Sequence, residues 1–77
     1  MDDISATRTM VERSGKSMRT ASVDSGRSPT WLGASMARGS ALTLPVAADL
    51  AAACGYTLAF VPVGELPDGA IAIDPPR

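Results

Sequence analysis

The chain has 77 residues, with seven Lys and Arg against eight Asp and Glu, a net charge of −1, one cysteine and no histidine. That composition excludes an internal disulfide and denies a zinc site its usual ligands. It also offers no nucleophile–base pair and no glycine-rich phosphate loop, so neither catalysis nor any metal or other cofactor is expected.

A chain this short makes one domain whose core supplies only roughly 3 to 5 kcal/mol of net stability, so a second copy or a partner is expected to contribute. No run approaches the roughly 20 apolar residues of a membrane span. The start, MDDISATR, lacks the apolar run of a signal peptide. The expectation is a soluble, cytoplasmic protein without membrane contact.

In chain order, Ile4, Ala6, Met10 and Val11 fall close to helical spacing and Gly15 is a fitting stop, which predicts a first helix from Ile4 to Ser14. Ser17 can cap a second helix from Met18 to Asp24, whose inner side would be Met18 and Ala21 with Ser22 and Ser25. Gly26 supplies a turn. Ser28 followed by Pro29 reads as a cap and first helical residue, so a third helix is predicted from Pro29 to Arg38, docking by Leu32 and Met36 and ending at Gly39. Gly33 weakens it by about 1 kcal/mol relative to alanine.

Thr43 is a natural cap for a fourth helix with Pro45 in its first turn, and Leu44 to Cys54 is apolar apart from Asp49, which predicts burial on more than one side. Gly55 ends it. Tyr56, Leu58 and Phe60 then alternate with Thr57, Ala59 and Val61, and Ala70 to Ile73 forms a second short run beyond the turn-prone Leu66-Pro67-Asp68-Gly69. These two runs predict a β-hairpin. Its lightly charged edge makes pairing with a second copy through Phe60, Ile71 and Ile73 the favoured reading over a simple cover for the core.

The near-neutral total conceals an asymmetry. Residues 5–40 carry Arg8, Arg13, Lys16, Arg19, Arg27 and Arg38 against Glu12 and Asp24, whereas residues 41–77 carry Asp49, Glu65, Asp68 and Asp74 against Arg77. The first part can face phosphate while the second faces elsewhere. Trp31, beside Leu32, fits the core better than a base stack, and Cys54 in its alanine-rich surroundings fits a small buried hydrophobe better than a redox sensor.

Over Met10 to Pro62 the segments GKSMRTAS, GRSPTWLGASMARG and LTLPVAADLAAACGYTLAFVP together resemble the Cro-like, or XRE-type, helix-turn-helix domains of phage repressors and bacterial regulators. The resemblance implies a mainly α, lambda-repressor-like domain of four to five short helices, with the helical core over residues 4–55 and the hairpin over 56–74. It implies that Arg27, Ser28 and Thr30 face bases while Lys16, Arg19 and Arg38 hold phosphates. The function implied is sequence-specific binding of double-stranded DNA at an inverted-repeat operator, as a homodimeric repressor or antitoxin of a phage or mobile element. The competing expectation is a small protein-binding inhibitor on the same scaffold, of anti-CRISPR type, whose partner is a CRISPR effector; for an antitoxin the protein partner is a toxin.

Overall fold

The computed structural model describes residues 1–40 and 42–75. Among them are four helices, α1 (Asp3–Arg13), α2 (Met18–Asp24), α3 (Trp31–Ala37) and α4 (Leu44–Ala53), and no strand. None is long and apolar enough to cross a membrane.

Three of the four helices, α1, α2 and α4, begin where a local side chain takes a free N–H. Asp2 caps α1 by accepting from the Ser5 N–H at 2.7 Å, which starts the helix one residue before Ile4. That backbone bond holds the Asp2 carboxyl below its ordinary range, with the Ser5 hydroxyl adding to the effect. Ser17 caps α2 through the Thr20 N–H at 3.1 Å, and Thr43 caps α4 through the Val46 N–H at 3.4 Å, both as the sequence predicts. Pro45 lies in the first turn of α4, where no N–H is required of it.

The helix ends are equally local. After α2, Gly26 adopts a φ of 84°, which lets its own N–H reach the Val23 carbonyl and the Arg27 N–H reach the Ser22 carbonyl. The same paired closure follows α3 at Gly39 and Ser40 and follows α4 at Gly55 and Tyr56.

The start of α3 differs from expectation. Ser28, Pro29 and Thr30 form a turn in which the Trp31 N–H donates to the Ser28 carbonyl, and regular helix begins only at Trp31, two residues late. The reason is tertiary. The Leu32 N–H is taken by the Ser22 hydroxyl of α2 at 3.1 Å, not by a side chain at Ser28, and Thr30 at the cap position makes no side-chain cap bond.

Burial of Val11, Ala21, Leu32, Leu50 and Cys54 forms the core, with Met10, Met18, Trp31, Met36, Leu42 and Tyr56 half-buried around it. Leu32 and Leu50 are wholly enclosed, each contributing about 1.5 to 3 kcal/mol relative to exposure. α2 is central, packing against both α3 and α4. Its interior face is as small as its sequence suggests, since Ala21 and Ser22 have no exposed surface.

The predicted hairpin over residues 56–74 is corrected by the structure. No ladder joins Tyr56–Val61 to Ala70–Ile73, and the intervening chain makes two separate turns, from Pro62 to Glu65 and from Pro67 to Ala70. Pro62 and Pro67 remove two donors from the connection, and the two runs lie beside the helices with Ile71 half-buried and Leu58, Phe60, Val61 and Ile73 exposed. Together with α1 and α4 they line a cavity of about 210 Å³, between Met10 and Leu50 on one side and Leu58, Leu66 and Ile71 on the other. The Asp74 N–H donates to the Met1 carbonyl at 2.9 Å, and its carboxylate takes the Met1 amino group, so the tail is fastened to the start of α1.

Candidate nucleic-acid interface

The segment from Ser17 to Gly39 folds as α2, a glycine turn and α3, held by one buried hydroxyl. Ser22 donates to the Met18 carbonyl at 2.7 Å and accepts from the Leu32 N–H, so its side chain joins the body of α2 to the first turn of α3. With Leu32 and Ser35 buried below, α3 turns outward Thr30, Gly33, Ala34 and Ala37, all exposed. Apart from the Thr30 hydroxyl, that face carries no functional group, and the space beside Gly33 is open.

The six residues expected to meet DNA divide into two sets. Ser28, Thr30, Arg19 and Arg38 are exposed, and neither arginine is in an ion pair among the described residues. Arg19 stands in the first turn of α2, and Arg38 caps the end of α3. Lys16 and Arg27 are committed within the chain.

Lys16 donates to the Asp24 carboxylate at 2.7 Å and to the Ala53 carbonyl. It therefore bridges the two ends of α2 and closes the C-terminus of α4, where a cation is favoured by the helix dipole. Arg27 donates to the Ser25 carbonyl at 2.7 Å and to the Asp49 carboxylate at 3.3 Å, and its guanidinium lies 4.8 Å from the centre of the Trp31 ring. Its side chain is only 22% exposed, against 63% for Asp49. The ring, the carbonyl and the carboxylate hold the guanidinium against α4.

The chain matches no family model, no curated protein and no solved structure. Its chemistry is therefore argued from these side chains alone.

Of the residues expected at a dimer face, Phe60 is 93% exposed and Ile73 is exposed, whereas Ile71 is half-buried at the cavity beside α1 and α4. Asp24 and Asp49 were not anticipated as partners of Lys16 and Arg27. Their separations of 8 and 22 residues match no local pairing rule, so no signal along the chain marks them. Trp31 is half-buried against the core, as expected, and also carries the Arg27 stack.

Proposed function

We propose that the chain is a sequence-specific DNA-binding regulator, a helix-turn-helix domain of repressor or antitoxin type that acts as a homodimer on an inverted repeat. The observation that carries this reading is the docking of the first turn of α3 by buried Ser22, with Thr30 and the small residues of α3 left outward. A helix face of Gly33, Ala34 and Ala37 lets the backbone come close to a groove, and Ser28 and Thr30 offer hydroxyls that both donate and accept. Arg19 and Arg38 supply phosphate contacts that fix the register. Arg27, its guanidinium 4.8 Å from the centre of the Trp31 ring, has N–H groups beyond those donated to Ser25 and Asp49, which a base or a phosphate at the edge of the groove would take. Repression follows from occupation of a promoter, which needs no effector domain.

A second reading, a protein-binding inhibitor of anti-CRISPR type, draws support from the exposed apolar side chains of the tail. The two readings separate in one titration. A duplex from upstream of the chain's own gene binds with a Kd on the order of 10⁻⁸ M at moderate salt if the regulator reading holds. Thr30→Ala then lowers the preference for that duplex over a scrambled one without lowering Tm, because the Thr30 hydroxyl makes no cap bond. Equal affinity for the two duplexes by the wild-type protein refutes the regulator and leaves the inhibitor.

A further inference from the structure

The cavity of about 210 Å³ between α1, α4 and the tail adjoins a second of about 110 Å³. The two share Leu42, Ala47, Leu58 and Ile73 as walls, and the smaller one reaches Leu32 and Met36 on the inner side of α3. The apolar space thus runs from the tail to the underside of α3. No lysine or arginine lines either part, and the one carboxylate, that of Asp3, borders only the smaller. Empty apolar space forfeits the contacts of a packed interior, and a cavity of about 150 Å³ lined by aliphatic and aromatic side chains already takes up benzene. The lining has few polar groups. The Thr7 hydroxyl is given to the Asp3 carbonyl at 2.7 Å, which leaves the hydroxyls of Tyr56 and Thr57, both at the larger cavity, to meet an occupant.

We propose that this space is a binding site for a small neutral aliphatic molecule, a chain of about eight carbons with one uncharged hydroxyl, carbonyl or ester end. The chain lies between α1 and α4, and its polar end meets Tyr56 and Thr57. Size, charge and cover select this class of ligand. If about 150 Å³ admits the six carbons of benzene, about 210 Å³ admits roughly eight, and a flexible chain can follow the space toward α3 where a rigid ring cannot. An ionised end would meet no cation, so the ligand is neutral.

The cover is the tail itself. Beside Ile73, which walls both parts, the Asp74 N–H donates to the Met1 carbonyl at 2.9 Å and the Asp74 carboxylate takes the Met1 amino group. A small molecule fits beneath this fastened segment, whereas a partner helix or a second copy would have to lift it away. The site stands apart from the DNA reading of α2 and α3, and its test uses the protein without DNA.

Methyl NMR of the full chain titrated with 1-octanol tests it. The methyl signals of Ala47, Leu50 and Ile71 should shift and saturate with a Kd on the order of 10⁻⁴ M, within reach of a ligand this small. Octanoate, the same chain with a charged end, should bind at least about tenfold more weakly. Ala47→Leu puts a side chain into the shared part of the space, and should weaken octanol binding at least about tenfold while leaving Tm unchanged or raised. Tyr56→Phe keeps the ring and the backbone bond to the Ala51 carbonyl, and should weaken binding about threefold to tenfold. This second variant decides the matter if Ala47→Leu does not fold. Shifts that never saturate, or that centre on exposed Phe60 and Val63, overturn the proposal. So does octanoate binding as tightly as octanol, or unchanged affinity in both variants. Cavity methyl shifts that follow protein concentration without octanol would seat a second copy in the space and overturn it equally.

Discussion

Two parts of this chain of similar hydrophobicity solve the backbone problem in opposite ways. Between Ser17 and Tyr56 the helix ends are closed by a hydroxyl, a carbonyl or a glycine turn within a few residues, and the remaining link, Ser22 to Leu32, is short and buried. Among the described residues, the main chain from Thr57 to Asp74 makes two isolated turns and one bond to Met1, and its apolar side chains are largely exposed. The first region has its backbone closed locally and packs with Val11 and Met10 of α1 into one core, whereas the second leaves its apolar side chains largely at the surface. The lesson is that apolar content does not decide which segment folds alone; satisfaction of the backbone does.

The sharpest way to break the comparison is to remove an enclosed leucine. Leu32→Ala or Leu50→Ala should cost about 2 to 5 kcal/mol, comparable with the whole stability of a domain this small, and urea unfolding followed by circular dichroism should find either variant largely unfolded. Val63→Ser, at a fully exposed position of the tail, should leave the same unfolding curve unmoved. Ser22→Ala comes next. It strands the Leu32 N–H in the core at a cost of about 1 to 3 kcal/mol, and the α3 amides should lose hydrogen-exchange protection before those of α1.

What could be read along the chain is what acts over a few residues. Ser17, Thr43, Gly26, Gly39 and Gly55 are legible because each serves a donor or carbonyl within one turn. Ser28 and Pro29 mislead, since they satisfy the same local rule, yet the Leu32 N–H donates to the Ser22 hydroxyl ten residues away. The hairpin misleads for a related reason. Alternation in Tyr56–Val61 and Ala70–Ile73 reports a strand-like surface but not which partner meets it. For the candidate interface, Arg19, Arg38, Ser28 and Thr30 are at the surface. The commitment of Lys16 to Ala53 and of Arg27 to Asp49 depends on where α4 lands, which no spacing encodes.

Smaller effects sharpen the boundary between the regions. Asp49→Asn should change stability by no more than about 1 kcal/mol, as expected for a largely solvated ion pair, while Arg27→Ala should add the loss of the stack. Trp31 fluorescence should respond to Arg27→Ala and much less to Asp49→Asn. The smallest effect concerns Asp2. Its folded pKa lies below the ordinary value of 3.8, so the unfolded chain takes up a proton first as pH falls. The cap's contribution should be full above that ordinary value and vanish as pH drops through the lowered one, seen as fraying of the α1 amides in Asp2 but not in Asp2→Asn protein.

The most direct test of the central claim, that α2 and α3 form a DNA-reading unit, is the salt dependence of binding to the upstream duplex, measured by fluorescence anisotropy between about 50 and 200 mM salt. The affinity should fall steeply across that range, and Arg19→Ala and Arg38→Ala should each reduce the slope of log K against log salt by about 1 with Tm unchanged. A slope that neither substitution alters, or binding that a scrambled duplex matches, would contradict it.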